Sequence, residues 1–352
     1  MKKLVLFLVV LLMPFSVKAI SASSYIVMDQ DSKRVLEGSN VDKESLIASI
    51  TKIMTCIVAI EYGNLENVVE VDDTILKSFG SGIYIQVGEK LTLDDLLYGL
   101  MLRSGNDAAL AIAKAVAGDV SSFVFLMNEM ADVIGMRNTK FVNPSGLEEA
   151  DGSANISTVY DMALLTRYAM KNENYRRIVK THDIVVKSSM KTYKWINKNK
   201  LLTMYEYCTG GKTGFTQKAR RTLVTTASKD NMNLIVVTFN DGNDFSDHKD
   251  LYEKYFAIYH REKVLTTTKD YGNNAYVNED FYMMVNDKDK VTKKVLIDKK
   301  DNYQNGEVIG SIEIYLNEKL LDVRNLYFKN DVVETNGFVS KLLNMIKFWE
   351  KI

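Results

Sequence analysis

Residues 48–55 read Ala48-Ser49-Ile50-Thr51-Lys52-Ile53-Met54-Thr55, and the apolar residues beyond them keep a helical rhythm. Ile50, Ile53, Met54, Ile57 and Ile60 recur at three- and four-residue spacing until Gly63 stops the run, which predicts a helix over 49–62. On that helix Ser49 and Lys52 share a face. A serine hydroxyl is a poor nucleophile until a neighbour removes its proton. A lysine held close, desolvated and near other cations has its pKa lowered enough to do so. The same spacing occurs at Ser188 with Lys191 and at Ser246 with Lys249, but in polar stretches without a long apolar helix. Only at Ser49 does it open one, where a helix N-terminus directs the hydroxyl and adds a favourable field.

Outward from this helix, apolar periodicity predicts further helices over 93–102, 108–117 (stopped at Gly118) and 122–134. Ser121 or Ser122 is the expected cap of the last and Gly135 its stop, and Ser157 opens another helix running to Met170. A helix is also expected over 251–259. Strands are expected on either side of a turn at 29–33, and β-branched runs at 222–227 and 233–239 form a second hairpin. Two short polar motifs fall between these elements. Ser104-Gly105-Asn106 lies in a turn between two helices and can present a hydroxyl and a carboxamide to a cleft; Ser153 and Asn155 repeat the pattern. Lys212-Thr213-Gly214 precedes the second hairpin and occurs once. On a strand Lys212 and Gly214 face one way and Thr213 the other, and glycine lets a substrate backbone approach closely.

The order Ser-x-x-Lys, Ser-x-Asn, Lys-Thr-Gly is the set of the penicillin-binding proteins and serine β-lactamases. The chain resembles the low-molecular-weight penicillin-binding proteins, the serine D-alanyl-D-alanine carboxypeptidases, strongly over about residues 22–258. The blocks at 48–55, 102–109, 135–147 and 211–216 carry the resemblance. It implies an α+β, β-lactamase/transpeptidase-like domain with an antiparallel sheet packed with helices, then a small all-β domain and an amphipathic helix. It implies that Ser49 attacks the carbonyl between two D-alanines of a peptidoglycan stem peptide while Lys52 takes its proton. Ser104 and Lys212 would relay a proton to the leaving D-alanine, and Asn106 would hold the substrate amide. The backbone N–H groups of Ser49 and Phe215 would form the oxyanion hole, with Thr213 and Gly214 beside the terminal carboxylate. β-Lactam antibiotics would acylate Ser49, and no metal or cofactor is implied. The chain departs from the family where an Arg usually precedes a Phe-x-Asp: here the segment reads Asn243-Asp244-Phe245-Ser246-Asp247. Arg220, Arg221 and His248 are the candidates to replace that charge, and Arg220 stands where a Gly is usual.

Other readings remain at this level. A β-lactamase of the commonest type needs a Glu in a Glu-x-x-Leu-Asn loop, and Leu147-Glu148-Glu149-Ala150-Asp151 lacks that pattern. A non-catalytic penicillin-binding sensor and a transpeptidase are the further alternatives.

The composition sets outer bounds. In 352 residues, 46% are hydrophobic and 26% charged, which is ordinary for a globular chain. Lys+Arg and Asp+Glu are both 45, so a chain-wide basic surface for nucleic acid is not expected. Two Cys and three His make a zinc site improbable. Cys56 and Cys208 allow one disulfide and require none; free, packed thiols are the expectation. Lys2 and Lys3 before an apolar run and Val17-Lys18-Ala19 at its end read as a signal peptide over 1–19, placing the protein extracytoplasmically, on the outer face of the bacterial membrane. The expected domains are the serine peptidase over 20–260, a small β domain over 261–333 and an amphipathic helix over 336–352. In that helix Phe338, Leu342, Met345, Ile346 and Trp349 form one face, suited to lie on a membrane surface.

Overall fold

A computed structural model describes residues 20–298, 300 and 302–329. The expected signal peptide and the amphipathic tail lie outside the described residues. The chain divides into two compact units after Ile258.

The first unit is built on one antiparallel sheet. Its strands are β1 (Ser24–Asp29), β2 (Val35–Ser39), β3 (Cys208–Thr216), β4 (Arg220–Lys229) and β5 (Met232–Phe239), in the order β2-β1-β5-β4-β3. The register pairs Val27 with Val236, Val224 with Val237, and Thr222 with Gly214. Side chains alternate across a sheet, yet β1, β4 and β5 are buried almost continuously. Both faces are therefore covered, and that is why these strands read as unbroken β-branched runs. On one face Ile26, Met28, Val224, Ile235 and Val237 join the helical core. On the other, Thr225 bonds His248 and Tyr252 of α7 (Asp244–Ile258).

The helical layer contains α1 (Lys52–Tyr62), α2 (Leu93–Arg103), α3 (Asn106–Ala117), α4 (Val120–Ile134), α5 (Val159–Ala169) and α6 (Glu173–Lys180). The expected helix at 49–62 is corrected at its start. Residues Ala48–Thr51 form a 3-10 turn, and α1 starts only at Lys52. Its first eight residues, Lys52 to Ala59, are all buried, so α1 is a core helix surrounded by protein. Three start signals also shift. Asp119, not Ser121 or Ser122, caps α4 by accepting from the Ser122 N–H. Thr158 rather than Ser157 caps α5, and α7 begins at Asp244, seven residues before the expected start. In each case a side-chain acceptor or a polar first turn extends the helix beyond its apolar pattern.

The second unit is all-β. β6 (His260–Leu265) pairs with β8 (Phe281–Val285), while β7 (Ala275–Tyr276), β9 (Val291–Ile297), β10 (Val308–Leu316) and β11 (Lys319–Phe328) form a sheet in the order β7-β11-β10-β9. Its own core includes Phe281, Met283, Ile309, Ile312, Ile314 and Leu326.

Candidate active site

The three motifs meet at the free edge of β3. Being the last strand of its sheet, β3 leaves one row of backbone N–H and C=O groups without a strand partner, a template for an extended peptide. A cleft of about 500 Å³ runs beside it, lined among others by Ser49, Ser104, Thr213, Gly214 and Phe215. A Cβ built on Gly214 would stand 3.0 Å from the Ser49 backbone N and 2.4 Å from the Thr222 hydroxyl oxygen. The strand thus passes so close to the nucleophile turn that only glycine fits, and the Thr222 hydroxyl ties the two together by donating to the Ile47 carbonyl at 3.0 Å.

Lys52 is the centre of the site and is fully buried. Its ammonium nitrogen lies 3.0 Å from Ser49 Oγ, 2.7 Å from Asn106 Oδ1 and 2.6 Å from the Ser145 carbonyl. All three partners are neutral. Burial, then the Lys212 and Lys198 ammoniums, hold Lys52 well below the ordinary lysine range, against a smaller opposing pull from Asp107. Lys212 is also buried and donates to the Thr213 carbonyl at 2.7 Å; burial, then Lys198, brings it down to about 7.

Ser104 closes α2 in the left-handed conformation, φ +62°. A non-glycine residue there stores strain of about 1 kcal/mol. Asn106, expected in a turn, is the first residue of α3. Its carboxamide is engaged on both sides, accepting from Lys52 and donating to the Phe79 carbonyl at 2.6 Å.

Three comparisons with known proteins bear on this arrangement. Residues 13–243 match the model of a family described as D-alanyl-D-alanine carboxypeptidase. The chain belongs to that family. Residues 254–334 match a second model, the C-terminal domain of penicillin-binding protein 5. The chain is 33% identical over 224 residues to the D-alanyl-D-alanine carboxypeptidase DacF of Bacillus subtilis, covering 62% of this chain and 57% of that relative. It is 28% identical over 367 residues to DacA of Escherichia coli, covering 94% and 88%. Among solved structures it resembles penicillin binding protein 5 of Haemophilus influenzae, with TM-score 0.74 and 26% identity over 89% of this chain and 98% of that one.

Several residues of this carboxypeptidase-family site lie outside the three catalytic motifs. Ser145 supplies a backbone carbonyl to Lys52, which no side-chain pattern announces. Its segment is held by Asn143, whose Oδ1 accepts from the Gly146 N–H at 2.7 Å, and by the Thr55 hydroxyl donating to the Pro144 carbonyl at 2.7 Å. Asn155, part of the repeated Ser-x-Asn, braces the nucleophile turn instead, donating to Thr51 Oγ1 at 2.9 Å. Asp107 accepts from the backbone N–H groups of Ile83 and Tyr84 and so fixes the segment that carries Ser81 to the cleft. Lys198 and Lys200 also line the cleft, and Lys198 donates to Ser81 Oγ at 3.2 Å.

The three candidates for the displaced arginine separate clearly. His248 is buried, bonded to Thr225 and Thr238, and pushed down to about 3 by burial, so it is neutral, and it is absent from the cleft lining. Arg220 is exposed and absent from the cleft lining. Arg221 lines the cleft, with Asp244 gripping its Nε and Nη2 at 3.0 and 2.6 Å. Asp244 thus serves as the partner of an arginine carried by the neighbouring strand. Cys56 and Cys208 are both free and buried.

Proposed function

We propose that the protein is a serine-type D-Ala-D-Ala carboxypeptidase that trims peptidoglycan stem pentapeptides outside the cytoplasmic membrane. The observation that carries this reading is a neutral-favouring, fully buried Lys52 at 3.0 Å from the Ser49 hydroxyl in an open cleft. Ser49 Oγ attacks the penultimate D-alanine carbonyl as its proton passes to Lys52. The backbone N–H groups of Ser49 and Phe215 receive the oxyanion, where a donor of this kind is worth about 3 kcal/mol. The C–N bond then breaks, and the proton reaches the leaving amine through Ser104 and Lys212. Water attacks the acyl ester and releases the shortened stem. Asn106 acts first as a positioning residue, aiming Lys52. Arg221, with Thr213, receives the terminal carboxylate; the guanidinium fork suits that planar group. β-Lactams acylate the same serine.

Two glutamates stand where a β-lactamase would need a free base, but both are engaged. Glu148 is paired with Lys218, and Glu149 accepts from Asn143 Nδ2 at 2.7 Å. The hydrolysis test uses diacetyl-Lys-D-Ala-D-Ala. The full chain is expected to release D-alanine and to be labelled by fluorescent penicillin, and Ser49→Ala to do neither. Release that persists in the variant removes Ser49 as nucleophile.

A further inference from the structure

The cleft carries more positive charge than one terminal carboxylate uses. Its charged lining residues are Lys198, Lys200, Arg221 and Asp244. Asp244 holds the Arg221 guanidinium at 3.0 and 2.6 Å, so that pair is close to neutral before substrate arrives. Lys198 and Lys200 have no such balance, since neither is bonded to a carboxylate among the described residues. Lys198 donates to the neutral Ser81 hydroxyl at 3.2 Å. Burial, then Arg103, holds Lys198 below the ordinary lysine range, and Lys198 in turn lowers Lys52 and Lys212. Like charges gathered in a cleft raise the local concentration of anions. The volume, about 500 Å³, is in the range of sites that enclose a whole small ligand.

The two lysines are presented by a braced segment. From Asn197 to Lys200 burial alternates: Asn197 and Asn199 are buried, Lys198 is half-buried and Lys200 is exposed. The asparagines are the anchors. Asn197 donates its backbone N–H to the His182 carbonyl at 2.7 Å and its Nδ2 to the Thr181 carbonyl at 3.0 Å. Its Oδ1 accepts the Asn199 N–H at 2.9 Å, and Asn199 Oδ1 accepts the Leu201 N–H at 3.1 Å. The Lys198 N–H donates to the Leu102 carbonyl at 3.0 Å, two residues before Ser104. The backbone is thus fixed beside the catalytic motifs while both lysine side chains reach the cleft. A backbone held in advance lowers the ordering cost of a contact made there.

We propose that Lys198 and Lys200 form a second anion subsite, which takes a carboxylate that the stem peptide carries in addition to its terminal one. The proposal rests on the carboxypeptidase reading, in which Arg221 and Thr213 already hold the terminal carboxylate. Two positions in such a substrate can supply the second acid. One is the side chain of the residue before the two D-alanines, when that residue is a diamino diacid. The other is the side chain of the leaving D-residue. A lysine is a point charge on a flexible stem and suits a carboxylate whose position varies with the substrate. The planar fork of Arg221 suits the terminal carboxylate, whose position does not. A carboxamide in place of the second acid offers these ammoniums a dipole and no charge, so the subsite discriminates against amidated stems.

The test reads binding without requiring turnover. The full chain is labelled at Ser49 by fluorescent penicillin, and peptides compete with the label at initial rates. Half-inhibiting concentrations are compared within two acid and amide pairs. The first is acetyl-diaminopimelyl-D-Ala-D-Ala against the same peptide amidated on the diaminopimelyl side chain. The second is diacetyl-Lys-D-Ala-D-Glu against diacetyl-Lys-D-Ala-D-Gln. In at least one pair the acid is expected to compete about fivefold better, the upper range for an exposed ion pair, and the advantage should shrink in about 0.5 M NaCl. The pair that shows it identifies the position of the second carboxylate. Lys200→Gln should remove most of the advantage, Lys200→Arg keep it and Lys200→Glu reverse it. Each ratio is taken within one variant, so a general loss of affinity cancels, and penicillin labelling itself reports a folded site. Lys198→Gln, read the same way, is the second variant and should also lower the ratio. Acid and amide competing equally in both pairs, or an advantage unchanged in Lys200→Gln, refutes the subsite. An acid preference without release of the terminal D-residue would instead count against the carboxypeptidase reading alone.

Discussion

Gly146→Ala tests whether the turn carrying Ser49 is held by the segment that also supplies Ser145 to Lys52. Gly146 has φ +85°, and a Cβ there would stand 2.0 Å from the Ala48 carbonyl oxygen, 2.5 Å from its carbon and 2.8 Å from Thr51 Oγ1. Reaching even 3.0 Å asks the Ala48 peptide to move by about 1 Å, a displacement that costs about 10²-fold when it misplaces a reacting group. Ala48 has little freedom to give, since its own φ is +49°. The left-handed conformation alone costs an alanine about 1 kcal/mol, or about 2–4 °C in Tm for a unit of this size. Gly118 supplies the control: its φ is +82° and nothing lies within 4 Å of its added Cβ. Both substitutions are expected to lose those few degrees, and Gly146→Ala more, by the cost of moving the Ala48 peptide. Gly146→Ala alone is expected to slow acylation of Ser49 by fluorescent penicillin by about 10²-fold in second-order rate constant, an effect of about 2.7 kcal/mol. Acylation within threefold of the parent, with Tm lowered no further than in Gly118→Ala, would refute the packing argument.

Other perturbations separate the charges in the cleft. kcat/KM reports the free enzyme, so it is expected to fall as pH rises through about 7, where Lys212 loses its proton; Lys212→Arg should remove that basic limb, and an unchanged limb would take the relay away from Lys212. Lys198→Met deletes a cation that lowers both Lys52 and Lys212, so both limbs of the pH–rate profile should move to higher pH; movement of only one would show that the two lysines do not share this neighbour. Arg221→Ala should raise KM for the D-Ala-D-Ala peptide at least tenfold while sparing acylation by a penicillin ester that lacks the free carboxylate, and equal loss on both substrates would mean a structural role. The folded pKa of Lys212 lies below its unfolded value, so the unfolded chain binds more protons between pH 7 and about 10 and stability from this group rises with pH there; the slope of urea-melt stability against pH should flatten in Lys212→Met.

What could be read from the chain depended on how locally each feature is encoded. Ser49, Lys52 and Lys212 were legible because their chemistry lies in side chains at short, fixed offsets on regular elements. The hairpin of β4 and β5 was legible because burial on both faces demands an unbroken apolar run. Ser145 was not, because a carbonyl contributes through the path of the backbone, and that path is set by Asn143, Gly146 and Asn155 together. The starts of α4, α5 and α7 were missed because the signal is a single acceptor side chain, Asp119 or Thr158, or in α7 a polar first turn, ahead of the apolar pattern. Arg221 was one of three candidates, and only the register of β4 against β3 and the start of α7 distinguishes it. Sequence distance hid that pairing, since Arg221 and Asp244 belong to different elements.

The cleft shows why such a site is expensive to maintain. Burial is the largest cause that lowers the proton affinity of Lys52, Lys198 and Lys212; the Lys212 and Lys198 ammoniums add to it at Lys52, Lys198 adds to it at Lys212, and Arg103 adds to it at Lys198. Activating Lys52 therefore requires an arrangement that opposes folding, because two buried amines and a nearby third lose hydration without a carboxylate bonded to them. The compensation is spread through neutral oxygens: the Asn106 carboxamide, the Ser145 and Thr213 carbonyls and the Ser81 hydroxyl each accept one ammonium hydrogen. A carboxylate in any of these places would satisfy the lysines better and would restore the proton to Lys52, ending its use as a base. Asp107 lies close enough to oppose the shift, but its oxygens are spent on the N–H groups of Ile83, Tyr84 and Ala108. That expenditure leaves Lys52 with partners that hold it in place without returning its charge, which is the condition a lysine must meet to deprotonate a serine.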